Sequence, residues 1–197
     1  INKTEAEAKV SIGDIGVFCS EFRVENGFIY SKALDDRVGC YTLIETAKNM
    51  KETNNEIYYV FTVQEEVGTR GSKTAAFSID PDFGIAVDVT KAGDYPNQKG
   101  SAVKLGKGTA IKIRDNSFIT PNKIVRMFID QCKKSDIPYQ LDVSEKGGTD
   151  GGSIQLSRNG VPTGGLSIPT RYIHSPVEMV SESDIENTIE LLLLSIM

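Results

Sequence analysis

The sequence predicts an α/β protein, a three-layer αβα sandwich with helices on both faces of a largely parallel or mixed sheet. From residue 32 onward, β-branched and aromatic runs of strand length alternate with segments whose apolar residues recur at helical spacing. Two of those runs, residues 57–63 and 83–89, are nearly continuously apolar, as strands covered on both faces are. Acids stand where such runs end, the place where ligands and catalytic groups collect in open α/β sheets.

Residues 1–10 alternate acids with alanines and read as a weak helix or a frayed end. Residues 15–19, Phe22 to Val24 and Phe28 to Tyr30 read as short strands around the turn Glu25-Asn26-Gly27. Residues 36–52 carry Val38, Tyr41, Leu43, Ile44, Ala47 and Met50 at helical spacing, with Asp35-Asp36 ahead of the first turn. By itself that pair is sufficiently explained as a helix N-cap with a dipole partner. After the 57–63 strand come a short helix over 72–79 and the 83–89 strand, which Asp88 interrupts. A carboxylate there has to be paired, hydrogen-bonded or metal-bound.

Residues 90–108 are punctuated by Gly, Lys and Pro and read as a long loop or lid. A strand over 110–114 leads to a helix through Cys132, capped by Thr120-Pro121-Asn122-Lys123, with Ile124, Phe128 and Ile129 facing inward. Residues 139–143 form a further strand. The glycine-rich run 145–152 precedes a short helix over 153–157 and lacks the lysine-serine pair of a nucleotide loop. A strand over 161–168 is followed by a polar loop holding His174, the single histidine of the chain. A lone histidine is more often a structural hydrogen-bonder than a ligand. The closing helix, 183–197, has Ser181 or Ser183 as its cap, with Glu186 in capping-box position to Ser183.

A net charge of −5, with no cluster of Lys or Arg, argues against a nucleic-acid or anionic-membrane partner. The apolar run Leu191 to Leu194 is far too short to span a bilayer, and no signal peptide is visible. Cys19, Cys40 and Cys132 are widely separated and fit reduced thiols of a cytoplasmic protein; a catalytic cysteine is not indicated. The chain opens on Ile1, which suggests a processed or truncated piece of something longer.

The chemistry is carried by Asp35, Glu65, Glu66, Asp88 and His174. So many carboxylates in one place repel one another and raise each other's pKa unless cations neutralise them. A pair of divalent ions resolves the conflict: carboxylate oxygens and an imidazole nitrogen suit Zn²⁺, Co²⁺ or Mn²⁺, and one bridging carboxylate can hold two ions about 3.5–4 Å apart. A free carboxylate beside them would serve as general base.

Five stretches in order, Lys32-Ala33-Leu34-Asp35-Asp36-Arg37-Val38-Gly39, Val63-Gln64-Glu65-Glu66-Val67-Gly68-Thr69-Arg70-Gly71, Ala86-Val87-Asp88-Val89-Thr90, Gly147-Gly148-Thr149-Asp150 and Arg171-Tyr172-Ile173-His174-Ser175-Pro176, resemble the successive motifs of the M42 family of metallo-aminopeptidases. The resemblance implies a catalytic domain of the zinc-exopeptidase type, hydrolysing the N-terminal bond of peptides through a metal-activated water. It implies Asp35 as bridging ligand, Glu65 as general base, Glu66 and His174 as ligands to one metal and Asp88 to the other. It further implies a cis Asp35-Asp36 peptide, Asp36 supporting the ligands from behind, and Thr149, Asp150 and Arg171 lining the substrate cleft. Partners would be peptide substrates and, as commonly in the family, further copies in a large homo-oligomer such as a dodecamer.

The chain departs from the family in lacking an N-terminal segment that carries a further metal-binding histidine. Residues 1–31 are similar only to the tail of an inserted small β-barrel dimerisation domain, and 32–197 to an incomplete catalytic domain. Asp35, Glu66 and His174 are enough for one tetrahedral site completed by water, whereas the second metal keeps Asp35 and Asp88 alone, so weak second-site binding and impaired activity are expected. Two other readings compete. One is a metal-free glycoside hydrolase using paired carboxylates; adjacent residues at a strand end point to opposite sides, which suits a ligand plus a base better. The other is an inactive fragment serving as an assembly module.

Overall fold

The computed structural model describes residues 1–96, 98 and 100–197. A short helix α1 (Lys3–Glu7) opens the chain, closed by a capping box between Asn2 and Glu5, with every side chain solvent-facing or nearly so. Residues 8–22 form no regular element, so the strand expected at 15–19 is absent: Ile12, Ile15, Val17 and Phe18 are exposed and have no neighbouring strand. β1 (Arg23–Glu25) and β2 (Phe28–Ser31) make the expected hairpin, its turn permitted by positive φ at Asn26 and Gly27.

There follow α2 (Leu34–Asn49), α3 (Arg70–Ile79), β3 (Gly84–Lys91), β4 (Thr109–Arg114), α4 (Asn122–Lys134), β5 (Tyr139–Val143), α5 (Asp150–Gln155), β6 (Thr163–Arg171), β7 (Glu178–Ser181) and α6 (Glu182–Ile196). The strands form one mixed sheet in the order β1-β2-β7-β6-β4-β5, with β3 also on β6. β3 and β6 run parallel from Gly84 against Thr163 to Lys91 against Thr170. β7 is a strand that the sequence pattern did not reveal; it pairs antiparallel with both β2 and β6 and so ties the hairpin to the central sheet.

Alternation along β3 and β6 separates the two faces. Gly164 stands against Phe128 and Ile124 of α4, while Leu166 and Ile168 on the same face join two apolar clusters with α2, α4 and α6. The next residues in each pair, Gly84 and Gly165, face the other way, Gly84 against Ile154 of α5 and Gly165 against Phe118 and Lys112. Asp88 shares that second face, two strand steps on from Gly84, and is therefore not buried among the aliphatic core. The main cluster, Ile111, Ile124, Phe128, Cys132, Leu166, Leu191 and Leu192, fills one side of the sheet. Burying a residue such as Phe128 there is worth about 1.5–3 kcal/mol.

Several expected details differ. Residues 57–63 form no strand and make no ladder with any described residue, leaving Tyr58, Phe61 and Val63 exposed at 56%, 49% and 68%. The sequence has strand chemistry there, yet a strand exists only where a second backbone accepts its hydrogen bonds. Pro121 is the N-cap of α4 and offers no side-chain acceptor, while the Thr120 hydroxyl donates to the Lys112 carbonyl, 2.5 Å away. Ser181 occupies the N-cap of α6, but its hydroxyl meets that of Ser183 at 2.9 Å and no capping box with Glu186 forms among the described residues. α5 starts three residues earlier than the pattern suggests, capped by Thr149. The loop expected over 90–108 starts later, because Thr90 and Lys91 continue β3 against Pro169 and Thr170; the described residues from 92 to 108 form no helix or strand, and Asn97 and Lys99 lie outside the described residues. No helix among the described residues is long and apolar enough to cross a membrane.

Candidate metal centre

Three backbone devices deliver the acids to one place. At the start of α2 the chain passes through Ala33 in the left-handed region, and Asp35 and Asp36 have non-helical backbones joined by a cis peptide. The regular helix begins beyond them, and the Asp36 carboxylate accepts the Gly39 N–H at 3.1 Å, so the capping role that the sequence allowed for the pair belongs to Asp36. Gly39 is glycine for a reason: a Cβ there would stand 2.3 Å from the Asp36 carboxylate.

After residues 57–63 a tight turn holds Glu65 and Glu66. The Glu65 carbonyl accepts the Gly68 and Thr69 N–H groups at 2.9 and 2.8 Å, and Gly71 N–H closes back on the Val63 carbonyl at 2.9 Å. Asp88 arrives from β3, and His174 from the loop after β6. Asp35, Asp36, Glu65, Glu66, Asp88 and Asp150 all border one cavity of about 820 Å³.

His174 Nε2 lies 3.0 Å from Asp35 Oδ2 and 3.3 Å from Glu66 Oε2. Donor atoms of Asp35, Glu66 and His174 fall within 4.8 Å of one another, and so do those of Asp35, Asp36 and Asp88. Asp35 belongs to both groups, the position a bridging carboxylate would take. The third donor of the second group is Asp36, which the sequence reading placed behind the ligands.

Electrostatics express the crowding. Burial, then the charge of Glu66, pushes Asp35 up to about 6. Glu65 is pushed up to about 7 by burial, reinforced by Asp150 and Glu66. Asp36 and Asp88 are raised well above the ordinary carboxylate range, first by burial and then by each other's charge for Asp36 and by Asp35 for Asp88. Four carboxyls that resist ionisation beside a histidine make a site that gains from positive charge. The donor set, oxygens plus one imidazole nitrogen, fits divalent ions of the zinc, cobalt or manganese kind.

Comparison with known proteins addresses the same residues. The family model described as M42 glutamyl aminopeptidase matches residues 1–191. The chain belongs to the M42 peptidase family.

A putative aminopeptidase of Acetivibrio thermocellus is 50% identical over 191 residues, covering 97% of this chain and 58% of the relative. Among solved structures, the aminopeptidase APDkam598 from the archaeon Desulfurococcus kamchatkensis superposes with a TM-score of 0.93 at 42% identity, over 98% of this chain and 56% of that one. PhTET1-12s, a dodecamer in its asymmetric unit, superposes with a TM-score of 0.81 at 35% identity, over 98% of this chain and 58% of that one. The M42 chain thus spans little more than half the length of these relatives.

The remaining residues singled out in the sequence take supporting positions in the M42 chain. Asp150 accepts the hydroxyls of Thr62 and Ser72, each at 2.6 Å, and so fixes the segment leading to Glu65. Thr149 caps α5, accepting the Gly151 N–H at 3.3 Å. Arg171 forks onto Asp94, with both contacts at 2.9 Å, and thereby ties the 90–108 loop to the end of β6 rather than entering either donor group. This pairing holds Asp94 below its ordinary pKa.

One residue escaped the sequence reading. Glu178 of β7, 2% exposed, accepts the Asp35 N–H at 2.9 Å through Oε2 and the His174 N–H at 2.8 Å through Oε1. A single carboxylate thus fastens the backbones of two candidate ligands that lie 139 residues apart in the chain. The signal was the one that drew attention to Asp88, an acid within an apolar run, Val177-Glu178-Met179-Val180.

Proposed function

We propose that the M42 chain carries the metal centre of an aminopeptidase, with Asp35 bridging, Glu66 and His174 on one ion, Asp88 on the other and Glu65 as general base. The observation that carries this reading is the sharing of Asp35 between two donor groups beside a half-buried glutamate that titrates near neutrality. Divalent ions bound there would polarise the first peptide carbonyl and acidify a water.

The chain's own residues do the proton work. Glu65, with a pKa of about 7, is matched to accept a proton from water near neutral pH, hold it and release it to the leaving amine. Asp150, Thr62 and Ser72 hold the Glu65 segment in place, and Glu178 orients Asp35 and His174. Asp36 would support the ligands from behind and stand beside a second ion, while Thr149 and Arg171, which the sequence motifs put on the cleft, would act through the start of α5 and the Asp94 loop.

A second ion would find only aspartates, Asp35, Asp36 and Asp88, among the described residues, which supports weaker binding there and impaired turnover by these residues alone. Residues 1–31 read as the tail of an inserted barrel, in keeping with the exposed apolar side chains of residues 12–18. Peptide substrates, a cytoplasmic location and a homo-oligomer of the kind named for PhTET1-12s belong to the same proposal. The convergence of His174 on two carboxylates favours a metal centre over a glycosidase acid pair.

The test compares Glu65→Gln and His174→Ala by elemental analysis and by release of the N-terminal residue from short peptides. Glu65→Gln is expected to abolish turnover with metal content unchanged, and His174→Ala to lower metal content. Because these residues alone are expected to turn over poorly, activity is read in the full-length enzyme, where retention of most activity in Glu65→Gln would refute the base assignment.

A further inference from the structure

In the glycine-rich run 145–152 the missing side chains make room for another part of the protein, the turn 115–118 that follows β4. A Cβ at Gly152 would stand 2.7 Å from the Ser117 Cβ and 2.8 Å from its hydroxyl oxygen, and one at Gly151 would stand 2.7 Å from the Phe118 ring. The Asn116 N–H also donates to the Gly147 carbonyl at 3.1 Å. Asp115, 5% exposed, knots the turn itself: its Oδ1 accepts the Ser117 N–H, the Ser117 hydroxyl and the Phe118 N–H at 2.6, 2.7 and 3.0 Å. Its Oδ2 accepts the Thr149 hydroxyl at 3.4 Å.

The start of α5 is therefore seated without slack. On its other side Ile154 touches β3, where a Cβ on Gly84 would stand 2.6 Å away, so the helix has nowhere to retreat. From this seat α5 holds the Glu65 turn by both flanks. Asp150 accepts the hydroxyls of Thr62, ahead of the turn, and of Ser72, beyond it, each at 2.6 Å. The Ser153 hydroxyl meets that of Thr69, whose N–H donates to the Glu65 carbonyl.

We infer that Asp115 and Ser117 are positioning residues for Glu65, acting through α5: the turn after β4 sets where Asp150 and Ser153 stand, and these two set the turn that carries the base. The inference rests on the reading of Glu65 as general base. Neither Asp115 nor Ser117 borders the cavity of acids or belongs to a donor group, so their effect on the reaction is geometric. Displacing a reacting group by about 1 Å can cost on the order of a hundredfold in rate.

The experiment uses the full-length enzyme with Gly152→Ala, Ser117→Gly, the two combined, and Ser153→Ala. Alanine is the better helix former, so Gly152→Ala would favour α5 but for the contact with Ser117. That contact is expected to push α5 off its seat and lower kcat about tenfold or more, with KM and metal content close to the parent's. Ser117→Gly and Ser153→Ala each lose a hydroxyl contact without adding an atom, and each is expected to lower kcat about fivefold. The combined variant lacks both clashing atoms and should turn over faster than Gly152→Ala, although Ser117→Gly is harmful by itself. Hydrogen exchange supplies a readout apart from activity. The Gly68 and Thr69 amides, bonded to the Glu65 carbonyl, should exchange about tenfold faster in Gly152→Ala while the amides of β6 keep the parent's rates.

Glu65→Gln measured alongside separates this inference from the reading beneath it. Turnover surviving in Glu65→Gln would overturn the base reading, and this inference with it. Turnover lost in Glu65→Gln but unchanged in Gly152→Ala and Ser153→Ala would overturn this inference alone, as would a combined variant slower than Gly152→Ala or parent-like exchange at Gly68 and Thr69. Should Gly152→Ala fail to fold, Ser117→Gly and Ser153→Ala decide by the same measures.

Discussion

Glu178→Gln is the substitution that most directly examines how the centre is built. The side chain is 2% exposed and receives two backbone N–H groups, from Asp35 at 2.9 Å and His174 at 2.8 Å. The amide keeps the shape but has one oxygen, so one N–H would face an NH₂ group and lose its acceptor. Loss of one charge-assisted hydrogen bond is worth about 1.5–3 kcal/mol, or roughly 10- to 150-fold in an equilibrium constant. That range agrees with the ten- to hundredfold loss of metal affinity typical when a ligand's supporting partner is removed. Competition of the parent and variant chains against a chelator of known zinc affinity measures the effect, with the melting temperature followed in parallel. Zinc affinity within about twofold of the parent, together with an unchanged melting temperature, would refute the idea that Glu178 holds the two ligands.

Other outcomes follow from the same geometry. Asp35 and Glu65, at about 6 and about 7, lie above their ordinary values of 3.8 and 4.5, so the metal-free folded chain binds more protons than the unfolded one between about pH 4 and 7. The stabilising contribution of these groups is therefore present at the acid end of that window and lost as pH rises through it. Divalent metal requires the ionised forms, so the melting-temperature gain of zinc-loaded over chelator-treated protein should widen from pH 4.5 to 7.5; a constant gain would contradict the assignment. Gly71→Ala would place a Cβ 2.5 Å from the Val63 nitrogen and 2.7 Å from its carbonyl oxygen, opening the turn that carries Glu65. A loss of about 1–3 kcal/mol by denaturant titration is expected, and a neutral result would mean that the turn adapts freely.

Much of this architecture is written locally. Helical spacing in 36–52 and 122–132 and apolar runs in 83–89 and 139–143 each became the element they suggest, because periodicity reports which side chains can be buried together. The motifs also pointed to Asp35, Glu65, Glu66, Asp88 and His174, which the fold brings together.

What the sequence left open was decided by partners far away in the chain. Residues 57–63 have the composition of a strand and no ladder, since hydrogen-bond pairing is a property of two backbones. β7 shows the converse: four residues with little periodicity became a strand because β2 and β6 offer edges on either side. Glu178, Arg171 and Asp150 acquired their roles from Asp35, Asp94 and Thr62, none of them neighbours in sequence. The sequence by itself determined which residues could ligate, cap or fill the core; tertiary structure alone determined which carboxylates share a cavity, because burial and charge repulsion depend on distances through space.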